Sequence, residues 1–185
     1  MKKLNLISLL IISSFLLIDK VNCQNKTLIG IDYVNEFVDG DLRPGVGLNL
    51  ARTFTERSSI EIGAYYRTYV QSVNLYIDNS VYDFDIAERH LSIPVLYKFS
   101  SRIINVYVGS SFEMFLDWKQ KQSSSNLAVD NYTIDPDYNF GLMLKIGKDL
   151  RLADKLVFEP EIRFNPIFII GRLYFGLGLN LKYEI

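Results

Sequence analysis

The chain contains one histidine, His90, and it stands two residues before Ser92. On an extended backbone that spacing puts both side chains on one face. With Glu61, Glu88 or Glu113 on a neighbouring strand, a nucleophile, a base and an orienting acid could be assembled there. The residues between and beside them argue against that use. Leu91, Ile93 and Val95 form the apolar face that would meet a lipid substrate and turn His90 and Ser92 the opposite way, into the interior, so the pair would be withheld from it. No catalytic residue is therefore assigned. Asp130, Asp135 and Asp137 could supply oxygen ligands to a cation, but they lack the spaced glycine and closing glutamate of a calcium loop. Neither a metal nor a cofactor is expected.

The elements that would carry these residues are strands. From Leu173 to Ile185 the chain alternates without interruption, with Leu173, Phe175, Leu177, Leu179, Leu181, Tyr183 and Ile185 on one side and Tyr174, Gly176, Gly178, Asn180, Lys182 and Glu184 on the other. Only a half-buried strand keeps a period of two. The pattern recurs, predicting eight strands at 27–37, 45–54, 59–74, 82–99, 103–118, 138–148, 155–166 and 172–185. An even number of antiparallel strands that leaves no edge is an up-and-down barrel.

One face of these strands is apolar. The other carries Asp32, Glu61, Arg67, His90, Lys98, Glu113, Asp117, Lys145, Glu159, Glu161, Arg163, Lys182 and Glu184, interleaved with glycines. Alternation alone does not say which face points outward. A secreted soluble barrel of the lipocalin type, holding an apolar ligand, would turn the charges to water. Three features favour the membrane arrangement. Connections at 38–44, 75–81 and 119–137 are longer than those at 55–58, 100–102 and 149–154, the apolar face is free of charge, and aromatic residues gather toward strand ends. Tyr33, Phe54, Tyr66, Tyr97, Phe99, Trp118, Phe164 and Tyr183 are the predicted interfacial girdles. An eight-stranded barrel is wide enough only for its own side chains. Glu61, Arg67, His90, Lys98, Glu113, Lys145, Glu159, Glu161, Arg163, Lys182 and Glu184 are accordingly predicted to fill the lumen as a paired polar core without an open pore.

Composition agrees with one secreted domain. The 185 residues carry 20 Lys and Arg against 21 Asp and Glu, and no basic run suggests nucleic acid. Lys2 and Lys3, an apolar run from Leu4 to Ile18 and a polar end read as a signal peptide over 1–23, leaving the barrel at 24–185. That run is too short to span a bilayer as a helix. The one cysteine, Cys23, permits no internal disulfide and is either removed or a lipid attachment point.

Four segments carry a resemblance: Leu-Ser-Ile-Pro-Val-Leu-Tyr-Lys-Phe at 91–99, Phe-Gly-Leu-Met-Leu-Lys-Ile-Gly at 140–147, Glu-Ile-Arg-Phe at 161–164 and Tyr-Phe-Gly-Leu-Gly-Leu at 174–179. They resemble the Bacteroidetes-type PorT-like outer-membrane barrels, within the wider group of eight-stranded barrels like OmpA and OmpX. The resemblance implies a bacterial outer-membrane protein, in one branch an accessory of protein secretion. Pro94 inside the fourth strand removes a ladder donor, and a bulge is expected there. The His-x-Ser pair is similar to that of outer-membrane lipid A deacylases, which makes deacylation a third reading. The leading expectation is a non-catalytic, monomeric barrel that contacts outer-membrane lipid and meets a protein partner through its outer loops.

Overall fold

In the computed structural model the described residues are 26–38, 41–77, 80–123, 132 and 136–185; the segment read as a signal peptide, with Cys23, lies outside them. They form nine strand segments: β1 (Thr27–Val38), β2 (Asp41–Thr55), β3 (Ser58–Ile77), β4 (Ser80–Ser100), β5 (Asn105–Ser123), β6 (Tyr138–Gly147), β7 (Leu150–Ala153), β8 (Leu156–Ile167) and β9 (Arg172–Glu184). Each pairs antiparallel with its neighbour in the chain from β1 to β6, and β8 pairs with β9. The ring closes twice over: β9 pairs with β1 from Glu184 against Leu28 to Phe175 against Phe37, and β6 pairs with β8. Short β7 resumes against β8 after β6 ends, with Leu150 opposite Phe158. β6 and β7 are therefore one stave broken at Lys148 and Asp149, and the nine segments make an eight-stave barrel.

Alternation sets the two faces as the sequence requires. Leu48 is 61% exposed and Leu177 63%, while Lys145 and Arg163 are fully buried. The outer surface is the apolar one, from Ile29 and Ile31 on β1 through Val95 and Tyr97 on β4 to Leu179 and Leu181 on β9. A lipocalin-like arrangement needs the reverse, and the structure overturns it: greasy side chains face out and charges face in.

Other expectations are corrected in detail. Within the expected loops, the described residues 38, 41–44, 75–77, 80 and 81 are strand, because β1 and β2 stay paired to Val38 opposite Asp41, and β3 and β4 to Ile77 opposite Ser80. The extra length on that side is hairpin projecting beyond the apolar belt. Pro94 makes no bulge. Its register with β5 runs on unshifted, with Pro94 opposite Ser111, and only the pairing between Ile62 and Tyr65 on β3 is interrupted beside it, where a proline has no N–H to give. The shifts in β4–β5 pairing fall instead between Asp85 and Ile86 and between Arg89 and His90. At the second, Phe115 pairs with His90 and Asp117 with Arg89, so Leu116 is the extra residue. A bulge exchanges the faces beyond it. Asp117, expected inside, is turned outward and pairs with the partly exposed Arg89 at 3.0 Å.

Interior glycines leave room for large neighbours. Gly47, opposite Tyr65 in the ladder, and Gly63 both lie under the Tyr65 ring, so a side chain at either would occupy its place. At Gly176 an added carbon would meet the backbone of Asn35 and Glu36. Gly171, with φ of 64°, closes the β8–β9 turn in the left-handed region.

Candidate functional site

The chemistry-bearing side chains converge in the lumen. Among the described residues, seven buried carboxylates (Asp32, Glu36, Glu61, Glu88, Glu113, Glu159, Glu161) face six buried cations (Arg67, Lys98, Lys145, Arg163, Arg172, Lys182) and His90. An isolated charge in such a place would be prohibitive, so the informative question is how each is paired.

Toward the short-turn end, Glu61 on β3 accepts from Lys145 on β6 at 2.7 Å and from Lys182 on β9 at 2.8 Å. Lys182 also donates to Glu159 at 2.7 Å and to Tyr107 Oη at 3.0 Å, and Tyr107 donates to Glu159. Lys98 reaches Asp149 at 2.9 Å and stands 3.7 Å from Glu159. Staves on opposite walls are thereby tied across the barrel axis. In the middle, Lys145 pairs with Glu161 at 2.9 Å, Arg163 with Glu161 at 3.5 Å, and Asp32 accepts from Asn49 and Tyr65.

Toward the long-hairpin end, Arg67 joins Glu36 at 3.1 Å, Glu113 at 3.4 Å and Asn165 at 2.8 Å. Arg172 pairs with Glu88 at 2.6 Å. Each of the six buried cations also lies over an aromatic ring: Arg67 over Tyr174, Arg163 over Tyr65, Arg172 over Tyr69, and Lys98, Lys145 and Lys182 around Tyr107. Among the described residues, these pairs and rings cross the lumen from several staves. A cavity of about 450 Å³ forms a vestibule at the short-turn mouth, lined by Lys26, Lys98, Asp149, Lys182 and Glu184 among others.

Of the eleven residues predicted to fill the lumen, ten are buried there. Glu184 is the exception in position: it borders the vestibule, partly exposed, and pairs with Lys26 at 2.8 Å. Sequence reading missed Glu36, Arg172, Tyr65, Tyr69, Tyr107 and Tyr174 as lumen residues, and it weighed Glu88 only as a possible orienting acid. All of them share the polar parity of their strands, which was the available signal.

His90 and Ser92 both point into this packed interior. His90 Nε2 lies 2.9 Å from Glu88 and Nδ1 3.4 Å from Glu113, and Phe115 meets its ring edge-on. Ser92 Oγ is fully buried and has no hydrogen-bond partner among the described residues. Neither reaches the apolar outer surface. Of the loop acids, Asp130 and Asp135 lie outside the described residues; among the described residues no cluster of His, Cys, Asp and Glu is arranged to hold a metal.

Of the expected girdle aromatics, Tyr33, Tyr66, Tyr97, Phe99, Phe164 and Tyr183 are exposed on the outer surface. Tyr97, hydrogen-bonded to Ser58 at 2.8 Å, lies with Phe99 and Tyr183 toward the short-turn end, where Phe54 falls at the register shift between Thr53 and Thr55 and is only partly exposed. Tyr66 lies toward the other end. Trp118 is a correction: it stands directly opposite the buried Glu88, so the bulge that turns Asp117 outward turns Trp118 toward the long-hairpin mouth instead of the girdle. From the long β5–β6 connection, Tyr132 reaches back over that mouth. Its hydroxyl donates to Glu88 and lies 3.2 Å from Gln71 Oε1, and its ring meets Trp118 edge-on. Burial and the neighbouring Glu88 carboxylate push that hydroxyl well above the ordinary phenol range.

No family model and no curated protein matches the sequence. Among solved structures, the chain is similar to the outer membrane protein OprG of Pseudomonas aeruginosa, with TM-score 0.54, 13% identity and coverage of 86% of this chain and 96% of that one. It is similar to a major outer membrane protein of Thermus thermophilus, with TM-score 0.53, 14% identity and coverage of 86% and 99%. A third is the Yersinia pestis outer membrane protein Ail in a phospholipid bilayer nanodisc, with TM-score 0.50, 11% identity and coverage of 88% and 100%. At these identities the likeness is one of fold: the chain has the eight-staved, up-and-down barrel fold of bacterial outer-membrane proteins.

Proposed function

We propose that this protein resides in a bacterial outer membrane as a closed, non-catalytic barrel that serves as a scaffold for an interaction surface at its long-hairpin end. The observation that carries the reading is the inversion of faces. A continuous apolar exterior surrounds a lumen of paired charges, and only lipid makes that exterior favourable. Because lysines, arginines and tyrosines fill the lumen, the barrel conducts neither ions nor solutes. Its short turns face the periplasm and its longer hairpins the outside, as such barrels require.

The test is fractionation followed by electrophoresis and conductance. The protein should enter the outer-membrane fraction, migrate differently before and after boiling, and give no stepwise current in planar bilayers. A protein that stays monomeric in detergent-free buffer would remove the membrane reading, and steady conductance would remove the closed lumen. His90→Ala should leave the mass of extracted lipid A unchanged. An accessory role in protein secretion draws its support from the resemblance of segments 91–99 and 140–147 to PorT-like barrels. Deletion should then trap secreted proteins in the periplasm, and an unaltered set of secreted proteins would dismiss that role.

A further inference from the structure

On the outer surface, where β6 gives way to β7, the wall is flat and a cation stands at its margin. The ladder against β8 runs to Gly147 opposite Glu161 and resumes with Leu150 opposite Phe158, in the same register. Pro160 causes the gap: Lys148 N donates to its carbonyl at 3.2 Å, and a proline has no N–H to return. Lys148 and Pro160 therefore keep the outward parity of Ile146 and Ile162. Where those neighbours raise branched side chains, Pro160 presents only its ring, with Leu179 opposite it on β9. A groove of about 290 Å³ results, walled by Ile104, Ile146, Ile162, Leu177 and Leu179, all exposed. Ile104 closes it from the β4–β5 turn, which Ser101 fixes by accepting from Ile104 N at 3.0 Å and donating to the Ile104 carbonyl at 2.7 Å.

Lys148 stands at the short-turn end of this groove. Its ammonium donates to the Arg102 carbonyl at 3.3 Å, and among the described residues no carboxylate pairs with it, the adjacent Asp149 being held by Lys98 in the vestibule at 2.9 Å. The exposed Arg102 lies in the same turn as Ile104. Over the four staves that border the groove, the outward positions within 104–114, 138–152, 156–164 and 173–183 hold no other charge. From this union of an apolar groove with a cation at one end we infer that it is a binding site for a glycerophospholipid with an anionic headgroup. One acyl chain lies along Ile146, Ile162 and Leu177, and the phosphate meets Lys148, with Arg102 beside it. The inference rests on the outer-membrane reading and deepens it by naming the class of lipid that this wall selects. A lysine at such a boundary lays its methylenes on the apolar wall and keeps its ammonium among the headgroups. A zwitterionic headgroup would bring its own cation toward Lys148 and Arg102, whereas a net negative one matches them. A second barrel is excluded as the natural occupant, because two copies seated groove to groove would bring both Lys148 ammonium groups to one interface with no carboxylate between them.

The test uses the mature protein in phosphatidylcholine nanodiscs that hold a small fraction of either phosphatidylglycerol or phosphatidylcholine spin-labelled on an acyl chain. Paramagnetic broadening of isoleucine and leucine methyl groups is read by NMR. At Ile104, Ile146, Ile162 and Leu177 the labelled phosphatidylglycerol should broaden about fivefold more than the labelled phosphatidylcholine, while the two lipids act equally at Leu48 and Ile62 on the opposite wall. Lys148→Ala should remove the preference, and Lys148→Arg should keep it. Pro160→Leu, which fills the floor and restores the ladder donor, should expel the chain from the groove with Lys148 still in place. Equal broadening of the groove by the two lipids, a preference that survives Lys148→Ala, or groove methyl groups in contact with a second barrel would each overturn the inference. The barrel's altered migration before boiling separates the two readings. With it present, loss of the lipid preference refutes this inference alone; with it absent, the outer-membrane reading falls and takes the inference with it.

Discussion

The lumen and the outer belt are built from the same strands, one residue apart, yet they obey opposite rules. Leu48 faces out and Asn49 in; Ile162 faces out and Glu161 and Arg163 in. Inside, charges are held by several partners on different staves, as Glu61 is by Lys145 and Lys182. Outside, the apolar side chains depend on the medium. A water-soluble protein gains most of its stability by hiding such side chains. In the proposed membrane setting the contacts that specify the fold are the ladders and the interior ion pairs, because lipid would give the apolar face no reason to collapse.

Breaking one interior partner should have the largest effect. Glu61→Leu leaves the ammonium groups of Lys145 and Lys182 facing each other without their shared carboxylate, and should cost about 3–5 kcal/mol in denaturant unfolding of the detergent-folded protein. Replacing Glu61 and Lys145 together with leucine and methionine should cost much less than twice that, a non-additivity that a double-mutant cycle would measure. On the other face, Leu48→Arg puts a charge into the belt and should cost about 2–4 kcal/mol in lipid vesicles. The two faces separate cleanly in a third change, Tyr107→Phe. It keeps the ring under Lys98, Lys145 and Lys182 and removes only the hydroxyl between Lys182 and Glu159, for about 1–3 kcal/mol by the same unfolding assay. At the rim, where water screens charge, Lys26→Ala should change stability by less than about 1 kcal/mol despite its 2.8 Å contact with Glu184.

Most of the staves are legible in the sequence because a period of two survives wherever both faces have a fixed partner. Tyr138 to Gly147 and Arg172 to Glu184 alternate from end to end and lie almost where expected. The signal fails where a single residue shifts phase. Leu116 is apolar on both readings, so nothing in its type marks it as the bulge that turns Asp117 outward and Trp118 inward. Pro94 carries a warning that the fold does not need, since an interrupted ladder at one position absorbs it without a change of register. Residues 38–44 and 75–81 read as loops because Asp39-Gly40 and Asp78-Asn79 are turn-formers, yet tight pairing carries the strands up to those residues. As for the lumen, parity alone places Glu36, Glu88, Arg172 and the four tyrosines inside. What parity cannot supply is distance around the ring, and the pairing of Glu61 on β3 with Lys145 on β6 and Lys182 on β9 becomes visible only once the barrel is closed.

The most direct measurement is of which side chains touch lipid. In nanodiscs with protonated acyl chains and methyl-labelled protein, cross-relaxation from the chains should reach the methyl groups of Leu48, Leu177 and Ile162 and should not reach those of Val34 and Met143. Contacts from acyl chains to Val34 and Met143, or water rather than lipid at Leu48 and Leu177, would contradict the inverted arrangement of faces.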